Sequence, residues 1–253
     1  MIELQHVSKS FGPLTAVDSI TFKVEPGEIF SFLGPNGAGK TTTIKMLVGL
    51  MTPDSGSILI HGTNIVHDPR TAKKMIGYVP DAPFLYEKLT GEEFLNVIGN
   101  LYEMDLKEMR TKIPMTSEQL DMGEWLSDRI EGYSQGMKQR LAFAAAFLHE
   151  PKVIILDEPT VGLDPKTSRK IKEILKEKSR EGVTVFLSTH NLNVAEELSD
   201  RIAIIHRGKI LGIGTVESFQ ASIQHEGSLE DLFLDIVERE ETNSAKNKSN
   251  PQS

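Results

Sequence analysis

Residues 34–41 read Gly34-Pro35-Asn36-Gly37-Ala38-Gly39-Lys40-Thr41, which fits G-x-x-x-x-G-K-[ST]. Glycines let the backbone wrap closely enough for its N–H groups to cradle phosphates. Lys40 brings positive charge to the β- and γ-phosphates, and the Thr41 hydroxyl is suited to Mg²⁺. Just upstream, residues 29–33 (Ile-Phe-Ser-Phe-Leu) have the length and texture of a buried strand. Downstream a helix opens, and its N-terminal dipole favours anions. Strand, phosphate loop and helix together predict a nucleotide-binding α/β core.

A second signal lies in Val153-Ile-Ile-Leu-Asp157-Glu158. Four apolar residues deliver two adjacent carboxylates to the C-terminal end of a strand, where open α/β sheets bind their ligands. One carboxylate can organise a Mg²⁺ shell while the next orients or deprotonates an attacking water, so the pair favours hydrolysis over binding alone. An Asn-Lys-x-Asp guanine-reading segment is missing, which speaks against a GTPase.

Short runs at 29–33, 153–156, 183–187 and 202–205 lack polar alternation, as strands covered on both faces do. Between them Asp164-Pro165 is an N-cap and first-turn proline, followed by a stripe of Ile171, Ile174 and Leu175 before Gly182. Residues 2–7, 20–24 and 57–60 read as strands of a small antiparallel sheet. Residues 83–132 are helical in texture: Thr90 and Glu93 form a capping box ahead of Phe94, Leu95, Val97, Ile98 and Leu101. Two more helical pieces are expected around 105–112 and 117–126, the latter holding Trp125. The fold class is therefore α/β: a P-loop NTPase core with a mostly parallel sheet, a small antiparallel β-subdomain and an all-helical insertion. One domain is expected over 1–241, with a short helical extension at 215–240. Within that extension, 228–240 reads as an acidic amphipathic helix, and 242–253 as a disordered tail.

Composition narrows the function classes. The 253 residues are 39% hydrophobic and 25% charged, enough to bury a substantial core. Absence of cysteine excludes disulfide frameworks, zinc ribbons and cysteine nucleophiles, and fits a reducing compartment. Lys and Arg total 28 against 36 Asp and Glu, a net charge of -8, so no nucleic acid is expected as partner. The opening ten residues do not resemble a signal peptide, and the most apolar window, 141–148, is far below the ~18–20 residues of a membrane span.

Four further stretches follow in order: Gly77-Tyr-Val-Pro-Asp81, Tyr133-Ser134-Gln135-Gly136-Met137-Lys-Gln-Arg140, Gly162-Leu-Asp164-Pro165 and Ser188-Thr-His190. With the phosphate loop and Asp157-Glu158, they resemble the ATP-binding-cassette (ABC) ATPases, specifically the separate nucleotide-binding subunit of an ABC transporter, over roughly residues 1–214. The resemblance implies ATP and Mg²⁺ as cofactors. It places Gly34, Pro35, Asn36, Gly37, Ala38, Gly39, Lys40, Thr41 and Thr42 on the nucleotide, and Thr41 and Asp157 on the metal. Glu158 and His190 become catalytic, and Asp164 belongs to the D-loop. Phe11 either stacks on adenine or is a core phenylalanine. Ser134, Gln135 and Gly136 would contact nucleotide in trans, across a head-to-tail homodimer formed on ATP binding. Two departures stand out. Gln135 replaces the commoner glycine, and Asp81 replaces the glutamine that names the Q-loop. Asp81 either joins the metal site or faces solvent while the loop works through its backbone.

Function follows as an expectation: an ATP-hydrolysing transporter subunit, export favoured, acting through an integral membrane partner at the inner face of the cell membrane. Phe84, Leu85 and Tyr86 are candidate docking contacts or else buried packing. The alternative is a soluble ABC ATPase acting on ribosomes or DNA. A single cassette without cysteine or long heptads argues against it, and the presence of Glu158 and His190 argues against a non-hydrolysing regulator.

Overall fold

Alternation of burial along the central strands dictates how the molecule is layered. In the segment from Val153 to Leu156, Ile154 and Leu156 turn to one apolar cluster and Val153 and Ile155 to another. Phe186 faces away from its neighbours Val185 and Leu187 in the same way. A sheet that is apolar on both faces must be covered on both.

The computed structural model describes residues 1–221. In chain order the elements are β1 (Ile2–Phe11), β2 (Leu14–Val24), β3 (Ile29–Leu33), α1 (Lys40–Leu47), β4 (Ser55–Ile60), β5 (Thr63–Asn64), α2 (Pro69–Lys74) and β6 (Ile76–Val79). Next come α3 (Gly91–Leu101), α4 (Leu106–Gln119), α5 (Gln135–Phe147), β7 (Val153–Asp157) and α6 (Pro165–Arg180). The described chain closes with β8 (Thr184–Thr189), α7 (Leu192–Leu198), β9 (Arg201–His206), β10 (Lys209–Gly214) and α8 (Val216–Ala221). The readings at 228–240 and 242–253 lie outside the described residues.

Two sheets form. The main one has strand order β10-β9-β3-β8-β7-β6, parallel except for β10 at its edge. A four-stranded antiparallel sheet, β2-β1-β4-β5, covers one face together with α1. Phe22 of that smaller sheet stacks on Phe30 at 5.3 Å and on Phe186 at 6.0 Å between ring centroids, tying the two sheets together. The opposite face is covered by apolar side chains of α3 to α7.

The expected α/β architecture, with its antiparallel companion sheet, is present. One local reading is corrected. Where two helical pieces are expected, α4 runs unbroken from Leu106 to Gln119 with Pro114 inside it, and Trp125 lies in the turns that follow. Proline within a helix costs ~3 kcal/mol. Here an Asp105–Glu108 capping box and a buried face of Met109, Ile113, Thr116 and Ser117 hold the helix across it.

Candidate active site

The phosphate loop is shaped by close backbone approach. A Cβ on Gly39 (φ 110°) would stand 2.4 Å from the Ala16 carbonyl oxygen, and one on Gly34 would stand 2.3 Å from that of Ile205. Only glycine fits at either position. Gly34 donates its N–H to the Thr189 carbonyl at 3.3 Å, pinning the loop to the end of β8. Ala38 is buried behind the loop. Lys40 folds back over the loop, its Nζ donating to the Gly34 carbonyl at 2.7 Å and to that of Pro35 at 3.2 Å. Burial pulls the Lys40 ammonium below its ordinary pKa, while Glu158 and Asp157 oppose the shift.

Asp157 ends β7, and the parallel register sets it beside Ser188 of β8. One of its oxygens accepts a short hydrogen bond from Ser188 Oγ, and the other accepts from Thr41 Oγ1 at 3.3 Å. Burial raises the Asp157 pKa, with repulsion from Glu158 and Asp81 adding to the effect. Glu158 has left-handed backbone (φ 48°), a conformation that costs a non-glycine residue ~1–3 kcal/mol and gathers at functional sites. Its Oε1 lies 4.0 Å from Lys40 Nζ, and 2.8 Å from His190 Nδ1.

Ten predicted residues line one hollow of about 360 Å³: Phe11, Asn36, Gly37, Gly39, Lys40, Thr41, Thr42, Asp81, Asp157 and Glu158. Leu14 and Ala16 line it too, and the sequence reading missed them. The hairpin register was the available signal, because Leu14 pairs directly with Phe11. Phe11 is exposed at this rim and lies outside the core. Asp81 follows β6 and Pro80 and is exposed at the other end.

Ser134, Gln135 and Gly136 are absent from that lining. They open α5, where the exposed Ser134 Oγ accepts from the Met137 N–H at 3.3 Å. Asp164 caps α6 by accepting from the Thr167 N–H at 3.0 Å, and lines a second hollow with Arg140 and Lys170. The two stretches meet, since a Cβ on Gly162 would stand 3.4 Å from Gln135 Cγ.

The donor set at Thr41 and Asp157 suits a hard divalent cation. A hydroxyl and a carboxylate already within hydrogen-bond reach of each other are the kind of oxygens Mg²⁺ takes, in small number, beside phosphate and water. No group of three or more His, Cys, Asp or Glu able to cage an ion exists among the described residues.

With this geometry in place, the comparison with known proteins is decisive. The family described as ABC transporter matches residues 17–161. The chain belongs to that family. ABC transporter ATP-binding proteins of Bacillus subtilis (strain 168) are close in sequence: YhcH is 43% identical over 86% of this chain and 70% of its own length. NatA is 34% identical over 94% of this chain and 99% of its own. Among solved structures, an ATP-binding subunit of an ABC transporter superimposes with a TM-score of 0.88 at 34% identity, covering 94% of this chain and 99% of that one. The dimeric cassette MJ0796, in a post-hydrolysis state bound to ADP and phosphate, reaches 0.77 at 27% identity over 85% and 98% of the two chains. The protein is thus an ABC ATP-binding subunit with the fold of an ATPase, and ATP is its nucleotide. No helix among its described residues is long and apolar enough to cross a membrane.

Proposed function

We propose that this ABC ATPase drives transport through a separate integral membrane subunit, by ATP-dependent head-to-tail pairing of two copies at the inner face of the membrane. The observation that carries the reading is the split of its machinery. Lys40, Thr41, Asp157 and Glu158 converge on one hollow, while Ser134, Gln135 and Gly136 stand off it at the exposed start of α5. A second copy turned head to tail supplies the missing half of each site.

Within each site the backbone N–H groups of Gly37, Gly39, Lys40, Thr41 and Thr42 hold the triphosphate, and Lys40 exchanges its two carbonyl partners for phosphate oxygens. Thr41 and Asp157 would hold Mg²⁺, and the ion would supply neutralisation of negative charge at the phosphoryl group. Glu158 orients the attacking water, and His190 steadies Glu158 and meets the γ-phosphate. Phe11 stacks on the base. Asp164 brings the D-loop to the paired surface, and Asp81 adds a third carboxylate beside Asp157 and Glu158.

The described residues, 1–221, belong to one ATPase domain, and its helical insertion, 83–132, is the docking face for the membrane subunit. There Phe84 is 87% exposed and Tyr86 is exposed beside it, while Leu85 packs against the core. Export is supported by relatives named for linearmycin resistance (40% identical) and Nod factor export (39% identical).

Sedimentation of the full chain carrying Glu158→Gln tests the pairing. Monomer without nucleotide and dimer with ATP are expected, because a ligand that binds one state shifts the equilibrium toward it. Ser134→Arg should block the dimer and spare ATP binding. A tight nucleotide-free dimer indifferent to that change would contradict the proposal.

A further inference from the structure

Within the insertion, α4 ends on a residue that helix capping alone would not select. The Asp121 N–H donates to the Glu118 carbonyl at 3.1 Å and the Met122 N–H to that of Ser117 at 2.8 Å, the paired bonds of a Schellman cap. The left-handed position of such a cap takes glycine by default, yet here it holds Asp121 at φ 52°. Glycine would relieve that backbone and lose the carboxylate.

The carboxylate reaches the helix of the D-loop. Asp121 Oδ1 pairs with Lys170 Nζ of α6 at 2.6 Å, while the Asp121 carbonyl accepts from Arg140 of α5 at 3.1 Å. The Arg140 guanidinium lies 5.0 Å from the Trp125 ring, so it too is held against the insertion. The hydrogen bond from Lys170 keeps the Asp121 carboxyl below its ordinary pKa, and the charges of Lys170, Lys166 and Arg140 add to the effect. One residue thus grips the second turn of two helices: α5, which opens at Ser134, and α6, which opens at Asp164. The two openings meet where Gln135 Cγ faces Gly162.

We infer that Asp121 is a positioning residue for the pairing of two copies: it fixes the spacing between the Ser134 turn and the D-loop, so that both meet the second copy as one surface. This rests on the head-to-tail reading given above. Asp121 does not line the ATP hollow, so losing the tie lets α5 and α6 shift against each other and leaves the groups that hold the nucleotide in place. An exposed ion pair changes an equilibrium constant by up to about fivefold, and a pair of copies contains two such ties.

Sedimentation of the full chain with ATP, in the Glu158→Gln background, tests it. Asp121→Asn and Lys170→Gln are each expected to raise the dimer Kd by more than about twofold and up to about 25-fold, with the ATP affinity of the monomer unchanged. The double variant should lose no more than the worse single one, because both changes break the same tie. Asp121→Gly separates positioning from capping: thermal stability should hold or rise, and the dimer should weaken all the same. A dimer Kd within about twofold of the parent for Asp121→Asn or Asp121→Gly, or additive losses in the double variant, overturns the inference and leaves the head-to-tail reading standing. Failure of the parent to form any ATP-dependent dimer overturns both.

Discussion

Glu158 and His190 are joined twice: Glu158 Oε1 lies 2.8 Å from His190 Nδ1 and accepts the His190 backbone N–H at 3.0 Å. The second oxygen, Oε2, accepts from Thr189 Oγ1 at 3.1 Å. Both carboxylate oxygens are therefore held by the end of β8 and the residue that follows it, while the Glu158 backbone is left-handed. A carboxylate locked by its neighbours is positioned before any substrate arrives.

Replacing that carboxylate should separate binding from turnover. Glu158→Gln is expected to keep ATP affinity and lower kcat by ~10²–10⁴, the usual loss when a general base is removed. Phosphate release measured beside equilibrium ATP binding checks it, and near-normal turnover would remove Glu158 from the chemistry.

Asp81 offers a charge where an amide is expected. It shares the hollow with Asp157 and Glu158, and its field helps to raise the pKa of Asp157. Extra carboxylate oxygen favours Mg²⁺, directly or through water. Asp81→Asn should therefore raise the Mg²⁺ concentration needed for half-maximal ATPase rate and change ATP affinity only modestly. Superimposable Mg²⁺ titrations for the two proteins would exclude a role at the metal.

His149 predicts a pH dependence of stability. Its ring stacks on Tyr102 at 3.6 Å and bonds to the Ile76 carbonyl at 3.1 Å, and burial lowers its pKa from 6.5 to about 4. The folded state thus disfavours the proton that the unfolded chain accepts. Stability is complete above pH 6.5 and is lost as pH falls toward 4, by about 3 kcal/mol across that window. Urea unfolding of wild type and His149→Gln between those limits should show this slope only in wild type.

Phe22 should matter more than any exposed aromatic. It is buried against Phe30, Phe32 and Phe186, and Phe22→Ala is expected to cost ~3–5 kcal/mol. Phe84→Ala, at an exposed position, should stay within ~0.5 kcal/mol. Equal losses in thermal unfolding would contradict the packing described for the two sheets.

What the sequence alone determined is what a few neighbouring residues can specify. The phosphate loop, the capping box of Thr90 and Glu93, the Asp164-Pro165 helix start and the acidic end of β7 each follow from backbone demands within about one turn. Strand order is different, because buried parallel strands carry nearly interchangeable apolar runs and their pairing is made by distant contacts. Only the tertiary structure sets β8 between β3 and β7, so that Thr41 reaches Asp157 across 116 positions and Glu158 meets Thr189 and His190. The same holds for β6 and β10, edge strands too short or too exposed to stand out, and for α4, whose buried face overrides Pro114. Leu14 and Ala16 enter the hollow for a related reason: the hairpin folds over the phosphate loop, and the Ala16 carbonyl comes so near Gly39 that no side chain fits between them.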